Sequence, residues 1–344
     1  MTTLFDQLTA RGRVALGLFA LALLAVPFFA DGYLISVITL VLWFAYVGQA
    51  WNVMMGFAGQ LSLGHSLYVG LGAYASAALF VHFGVGPWAG VWLGMLAATL
   101  AGAIIGTLGF RFAIRGVHFA LLTIAFAEFT RIAFDHIGWL GGSGGFFLPV
   151  GDAAGANPFD LRGSPALFYY VILALTFGAL ALCRRLLHSR IGYFWLAIRE
   201  DQEAAQAVGI DVFRAKLIAV MISAAMTSLG GVFYAFFYNN LFPEQIFSVG
   251  RSIELILAPV IGGIGTLFGP IFGAFILTPL AELVTWGVES AGLDMPGIKQ
   301  IFYGLALVAI VVYRPEGVWP WVARHLRLVH QPGDQPSHRA GDRP

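Results

Sequence analysis

The feature that most constrains this chain is a succession of about ten long apolar segments separated by short polar ones. A helix of about 20 apolar residues crosses a bilayer core about 30 Å thick. The composition agrees, because 59% of the 344 residues are hydrophobic and 11% are charged, whereas roughly a quarter of the residues in soluble domains are charged. The sequence therefore predicts an all-α integral membrane protein.

The predicted spans cover residues 14–30, 34–50, 67–83, 88–110, 117–134, 166–183, 217–237, 253–265, 271–287 and 298–313. The first run, from Val14 to Ala30, follows Arg11 and Arg13 and so resembles the charged and apolar regions of a signal peptide. We interpret it as a retained first span, because the next apolar segment begins almost at once at Leu34.

The positions of Lys and Arg predict the orientation, because cytoplasmic loops carry an excess of these residues. With a cytoplasmic N-terminus and about ten spans, all but four of the 19 Lys and Arg residues fall on the inside, the exceptions being Arg131, Arg162, Arg251 and Lys299. We therefore expect both termini to be cytoplasmic. Residues 1–320 are predicted to form one transmembrane domain, and the Pro- and Gly-containing tail 321–344 is predicted to be disordered.

Two stretches at membrane depth are too apolar for ordinary loops and too rich in glycine for stable helices. They are residues 56–66, the first break, and residues 262–270, the second break. Broken spans point to transport machinery, whereas close helix packing is the alternative, because small residues let backbones approach. Four polar side chains beside the first break could line a solute pathway or satisfy exposed backbone groups: Asn52, Gln60, Ser62 and His65.

Ionisable residues inside a span are costly and are functional candidates by default. Glu128, Arg131 and Asp135 are spaced three and four apart, so they share one helix face. Either the three neutralise one another or they form a proton relay. The single cysteine, Cys183, is expected to be an inert residue inside a helix. The sequence predicts no metal site, and a net charge of +1 gives no indication of nucleic-acid binding.

The chain lacks the phosphate-binding loop of ATPases, which requires Gly-x-x-x-x-Gly-Lys followed by Ser or Thr. Its two lysines, Lys216 and Lys299, do not stand in that context. We therefore expect a transport subunit that is not an enzyme and binds no cofactor. A partner ATPase, an ion gradient or passive flow could then drive transport.

The longest cytoplasmic segment, residues 184–216, favours a partner ATPase. Residues 199–211 are predicted to form a short helix, in which Asp201 or a neighbour can cap the start and Gly209 suits the end. Its small apolar residues Ala204, Ala205 and Val208 would suit a groove on a partner. A helix resting on lipid headgroups would instead carry large apolar residues and lysines.

Glu203, Ala204 and Ala205, followed by Gly209, resemble the EAA-loop motif of ABC importer permeases, in which this loop couples to the ATPase. Three further blocks are similar to those of high-affinity branched-chain amino-acid permeases: Trp51 and Asn52 with residues 56–65 and 70–74, residues 115–123 with 125–128, and residues 262–270. The pattern resembles the second permease subunit of such systems, and the corresponding urea-transporter subunit is similar.

The resemblance implies a type II ABC importer-like permease with ten spans in a bacterial plasma (inner) membrane. It also implies a homologous permease partner, two ATP-binding subunits and an extracytoplasmic solute-binding protein. Branched-chain or related amino acids are the expected solutes. The alternatives are urea or short amides, an ion-coupled carrier that uses the charged triplet, and a passive channel. The outer loop from Leu140 to Gly145 lacks the threonine and the polar fifth position often found in the family, which leaves the substrate open.

Overall fold

The computed structural model describes residues 9–149, 161–290, 292, 297–326 and 328. These residues are mostly helical, because a backbone in lipid must satisfy its own hydrogen bonds. The helices are α1 Ala10–Phe29, α2 Gly32–Asn52, α3 Ser66–Phe83, α4 Pro87–Arg111, α5 Val117–His136, α6 Pro165–Leu187, α7 Arg190–Glu200, α8 Gln202–Ala207, α9 Val212–Tyr238, α10 Pro243–Ile246, α11 Val249–Gly262, α12 Gly269–Ser290, α13 Ile298–Tyr313 and α14 Val318–His325.

A membrane-spanning helical protein is confirmed, and each predicted span coincides with a helix. Among the described residues, eight helical stretches are long and apolar enough to cross a membrane. The first and last predicted spans correspond to two shorter apolar helices, Val14–Phe29 and Ile298–Ile310. The orientation and the cytoplasmic termini stay predictions.

The core of the bundle is built where α2 and α3 pack against α9. Trp43 on α2 donates its indole N–H to the Gly230 carbonyl at 2.8 Å, and the Tyr46 hydroxyl donates to the Met226 carbonyl at 2.8 Å. Glycine permits the close approach of α3, because a Cβ added at Gly72 would lie 2.2 Å from the Ser228 carbonyl oxygen. Small residues thus bring the central backbones together, as in other membrane bundles.

Two short strands hold the loop that follows α5 against the end of α9. β1, Phe146–Phe147, pairs antiparallel with β2, Asn240–Leu241. Asn239 precedes β2 with a positive φ of 59°, which ends α9 and turns the chain into the pairing. The loop that departs from the family pattern is therefore held against the end of a core helix.

Helix α1 is attached to the bundle next to its internal proline, Pro27. Pro27 has no N–H, so the Leu23 carbonyl lacks its usual helical donor. The Tyr169 hydroxyl on α6 donates to that carbonyl at 2.6 Å, and Leu23 is buried. Phe19 packs edge-on against Phe275 of α12. These contacts attach α1 to α6 and α12; its retention as a span stays a prediction.

The boundary predicted at residue 320 is wrong, because α14 crosses it. Trp319 is buried and packs on Phe268 and Phe272, and Ala323 is also buried. This helix was not predicted from the sequence, because it is only eight residues long and Pro320 lies in its first turn. Residues 329–344 of the predicted disordered tail lie outside the described residues.

We predict that Tyr169→Phe lowers stability by about 1–3 kcal/mol, because it leaves the buried Leu23 carbonyl without a donor. The change is measured as the thermal unfolding midpoint of the purified protein in detergent. The control is Tyr170→Phe, since Tyr170 bonds the neighbouring Leu24 carbonyl, which has its regular helical donor, from an exposed position at 3.2 Å. Equal midpoints for the two variants would contradict the prediction.

Candidate coupling site

In the structure the first break is an irregular segment whose backbone is bonded to neighbouring elements. Helix α2 widens into a π-helical turn, Val53–Phe57, and regular helix resumes at Ser66. The Leu63 and Gly64 N–H groups donate to Thr123 Oγ1 at 3.1 and 3.2 Å. The Ser66 N–H donates to Ser252 Oγ at 3.0 Å. The break is therefore buried in protein, as irregular chain at membrane depth must be.

His65 at the end of this break is a hydrogen-bonded packing residue. Its Nε2 lies 3.1 Å from Ser223 Oγ and its Nδ1 lies 3.3 Å from Ser62 Oγ. Ser223 Oγ donates its own proton to the Ala50 carbonyl at 2.7 Å, so it accepts from Nε2 of the ring. In a neutral ring, Nδ1 then accepts from Ser62.

The predicted pathway residues Asn52, Gln60, Ser62 and His65 are all buried within the chain. Gln60 donates from Nε2 to the Ala58 carbonyl at 2.8 Å, and the other three also bond within the protein. In this structure these side chains satisfy polar groups that the break exposes, as one of the two alternatives expects. Their place in a solute pathway stays a prediction.

The second break is a tight glycine turn between α11 and α12. Gly263 and Gly265 have positive φ angles of 125° and 78°. Thr266 Oγ1 donates to the Gly263 carbonyl at 2.8 Å and accepts from the Gly269 N–H at 3.1 Å. A Cβ added at Gly262 would lie 1.7 Å from the Gly269 carbonyl oxygen. The turn thus requires glycine for both conformation and space.

Asn52 joins the two breaks. Its Nδ2 donates to the Thr266 carbonyl at 2.9 Å, and its Oδ1 accepts from the Gly265 N–H at 2.8 Å. Gln49 adds a bond from Nε2 to the Leu267 carbonyl at 2.6 Å. A Cβ at Gly56 would lie 1.9 Å from Asn52 Oδ1. We call the contact among Asn52, Gly56, Gly265 and Thr266 the junction.

Arg199 connects the cytoplasmic segment to the junction. From the end of α7, its Nη1 donates to the Gly56 carbonyl at 2.6 Å. A Cβ at Gly265 would lie 2.5 Å from the same nitrogen, so the guanidinium lies between the two breaks. Charge-assisted bonds of this kind are among the stronger hydrogen bonds. Arg199 was not singled out from the sequence. The only sign of its role was the position of an arginine directly before the acidic start of the predicted short helix.

The short helix predicted in the cytoplasmic segment is confirmed as α8. Asp201 caps it, accepting on Oδ1 from the Glu203 N–H at 2.9 Å and the Ala204 N–H at 3.0 Å. Gly209 follows with a φ of 88°, which glycine adopts without strain. The helix is shorter than the predicted segment, because the preceding residues belong to α7.

The exposed face of α8 differs from the predicted apolar patch. Glu203 and Ala204 are exposed, and Val208 is 77% exposed. Ala205 is 3% exposed and is packed within the protein, so it is not available to a partner. The surface that a partner could contact therefore includes Glu203, Ala204 and Val208, together with the exposed Gln206 and Ala207.

The segment carrying α7 and α8 is attached to the beginning of α9. Trp195 of α7 donates its indole N–H to the Ala215 carbonyl at 2.7 Å. Lys216 donates to Gln202 Oε1 of α8 at 2.5 Å. Lys216 also lies 5.5 Å from the centre of the Phe110 ring, which joins α9 to α4 at the same place. These contacts anchor the segment to α9.

One arginine pairs with both acids of the charged triplet on α5. Arg131 Nη2 lies 2.6 Å from Glu128 Oε1, and Arg131 Nη1 lies 3.0 Å from Asp135 Oδ2. This pairing is the kind that the first alternative expects, and the proton relay stays a prediction. Cys183 is buried, with its Sγ 4.0 Å from the Gln49 carbonyl oxygen. Within the described ranges, no group of three or more His, Cys, Asp or Glu residues could hold a metal ion.

Comparison with known proteins identifies the kind of protein that carries this junction. Residues 33–311 match the family described as the branched-chain amino acid transport system permease component. The chain belongs to this family. The match spans both breaks and the cytoplasmic segment, so this permease carries the junction within its family region.

Curated relatives include both permease types of such systems. The high-affinity branched-chain amino acid transport system permease protein LivM of Escherichia coli K12 is 30% identical, over 90% of this chain and 76% of its own length. LivH of the same strain is 26% identical, over 80% and 90% of the two chains. A probable LivM of Methanocaldococcus jannaschii is 23% identical, over 83% and 93%. No solved structure matches.

We predict that Asn52→Leu loosens the second break, because the half-buried Gly265 N–H and Thr266 carbonyl both lose their partner. A fully buried unsatisfied group costs about 1–3 kcal/mol, so the lower end of that range is expected for each. Faster hydrogen exchange at residues 263–268 and a lower unfolding midpoint are expected. Gln60→Leu is the control, since Gln60 bonds only inside the first break. Unchanged exchange at residues 263–268 in Asn52→Leu would show that Asn52 does not hold the turn.

Proposed function

We propose that this permease is a membrane subunit of an ATP-driven ABC importer in a bacterial inner membrane, and that it moves branched-chain or related amino acids. A homologous permease would pair with it, two ATP-binding subunits would dock from the cytoplasm, and an extracytoplasmic binding protein would deliver the solute. The family match supports the transport role. The LivM and LivH relatives, which are named as two permease proteins of one kind of system, support the pairing.

The observation that carries the proposal is the bond from Arg199 to the Gly56 carbonyl. It links a cytoplasmic segment with an exposed short helix to two broken spans buried in the bundle. A helix that only rested on the membrane surface would not need a charged side chain inserted between those spans. This geometry fits a subunit whose driving force enters from the cytoplasm.

The mechanism follows from the order of the contacts. An ATP-binding subunit that engages Glu203, Ala204 and Val208 would move α8 together with α7. Arg199 would transmit that movement to the first break, and Asn52 would transmit it to the second. Because packed elements shift between discrete arrangements, both breaks would change conformation together and alternate the access of the solute.

The exposed charged side chains at α8 support docking to another protein. Glu203 is paired weakly with Arg115 at 3.8 Å, and both side chains are more than half exposed. Exposed pairs of this kind contribute little to stability, so both charges remain available to a docking subunit. Gly209 ends the helix without adding a side chain to this surface.

We predict that Arg199→Gln uncouples ATP hydrolysis from uptake. Hydrogen bonds to charged groups contribute about 1.5–3 kcal/mol, which corresponds to roughly 10- to 100-fold. In the full transporter reconstituted in vesicles, ATP hydrolysis should persist while uptake per ATP falls by that factor. Arg214→Gln is the control, since the exposed Arg214 pairs only locally with Asp211. Normal uptake per ATP in Arg199→Gln would refute the coupling role.

A substrate test separates the proposed function from its alternatives. Vesicles holding the permease pair, the ATP-binding subunits and the binding protein are supplied with labelled leucine, isoleucine, valine or urea, with ATP or with a pH gradient alone. We expect ATP-dependent uptake of the branched-chain amino acids and none driven by the gradient. Uptake of urea alone would change the solute, and gradient-driven uptake without ATP would overturn the ABC importer.

A further inference from the structure

A small polar pocket of about 130 Å³ lies beside α8, where the segment carrying α7 and α8 meets α9. Three separate parts of the chain supply its polar side chains. Arg115 comes from the loop between α4 and α5, Gln202 and Gln206 come from α8, and Lys216 comes from the beginning of α9. The space is much larger than a water molecule needs and smaller than a site for a drug-sized ligand. It therefore suits a ligand of a few heavy atoms.

The pocket is positively charged. Arg115 and Lys216 both line it, and no acidic residue of the described chain does. Glu203 lies 3.8 Å from Arg115 Nη1, but its side chain is 83% exposed, so solvent weakens its effect on the pocket. Lys216 is only 6% exposed, and a buried ammonium is costly unless an opposite charge or hydrogen bonds compensate it. A pocket of this kind attracts an anion.

Most hydrogen-bond donors of the pocket have no acceptor among the described residues. Lys216 Nζ donates to Gln202 Oε1 at 2.5 Å, which uses one of its three N–H groups. Because an ammonium only donates, the Gln202 oxygen faces Lys216 and its amide nitrogen is left to donate elsewhere. The Gln206 amide and the Arg115 guanidinium make no hydrogen bond to the described part of the chain. Four side chains can thus donate to one ligand.

We propose that this pocket binds a phosphate group. Donors on three elements surround one small space, and a phosphate accepts hydrogen bonds on several oxygens at once. A phosphate ester carries a charge of about −1.5 to −2 at pH 7, which balances the two cations. The planar fork of an arginine also matches phosphate geometry. A carboxylate offers two oxygens and a single charge, so it would leave some of these donors without an acceptor.

A bound phosphate would connect the loop before α5 to α8 and α9. It would thereby brace the segment from which Arg199 reaches the junction. Two sources supply this chemistry: free inorganic phosphate, and the headgroup of a lipid such as phosphatidic acid. The site does not rest on the proposed transport function, because binding is measured on the permease chain alone.

Binding of radiolabelled inorganic phosphate to the purified full chain in detergent tests the site, with ionic strength held constant by chloride. The wild-type protein should bind about one phosphate per chain, in a saturable manner. Arg115→Gln should weaken binding at least about tenfold, because it removes one of the two cations and a forked donor. Arg214→Gln is the matched control, since this exposed arginine lies next to the pocket but pairs only with Asp211. Its affinity should equal that of the wild type.

Hydrogen exchange of the wild-type protein gives a second test that needs no variant. Added inorganic phosphate should slow exchange severalfold at residues 112–116 and 202–206, which form two walls of the pocket. Exchange at residues 239–241 should not change, because they lie at the other end of α9, about 40 Å away. Unchanged exchange at both walls under saturating phosphate would overturn the site.

A lipid comparison identifies the source of the phosphate. Native mass spectrometry of the full chain compares phosphatidic acid with diacylglycerol, which has the same acyl chains and no phosphate. Preferential retention of phosphatidic acid by the wild type, lost in Arg115→Gln, would support the site with the lipid as the source. Binding of neither phosphate probe, equal binding by Arg115→Gln and Arg214→Gln, or binding of acetate in place of phosphate would overturn the proposal.

Discussion

The fold depends on one constraint: every backbone polar group at membrane depth must find a partner inside the protein. Helices meet this requirement by themselves, but two spans of this permease are broken by glycine-rich segments. The exposed backbone groups of each break are bonded by side chains from elsewhere, including Asn52, Thr123 and Arg199. The irregular backbone of each break is thereby attached to residues that are distant in the sequence.

In the proposed function, that attachment would let the permease respond to a partner ATPase. The two breaks share Asn52, and Arg199 of α7 reaches both from the end that carries α8. Glycines at positions 56 and 265 leave room for this contact, since a Cβ at either would collide with it. A movement at the surface therefore reaches the interior through few bonds. The same principle operates at α1, where a tyrosine bonds the carbonyl freed by a proline.

The sequence predicted those features that local residue patterns determine. Apolar length located the spans, glycine content located both breaks, and the cap at Asp201 and the stop at Gly209 located α8. Pairings between distant residues have no local pattern, so the bonds of Arg199 to Gly56 and of Tyr169 to Leu23 were not predicted.

Packing caused one error. Small residues indicate tight packing but not which neighbour they pack against, so Ala205 was assigned to a partner when it is buried within the chain. Polar residues beside the first break were candidates for a pathway; Asn52 and His65 bond within the protein, and their place in a pathway stays a prediction. Helix α14 was overlooked because it is only eight residues long and contains Pro320.

The central claim is that Arg199 and Asn52 act in one connected chain of contacts. A double-mutant cycle tests it most directly, with solute moved per ATP measured for Arg199→Gln, Asn52→Leu and the combination. Residues in one network give non-additive effects. The account predicts that the double variant is little worse than the more impaired single variant. Losses that simply multiply would show two independent contacts and would contradict the account.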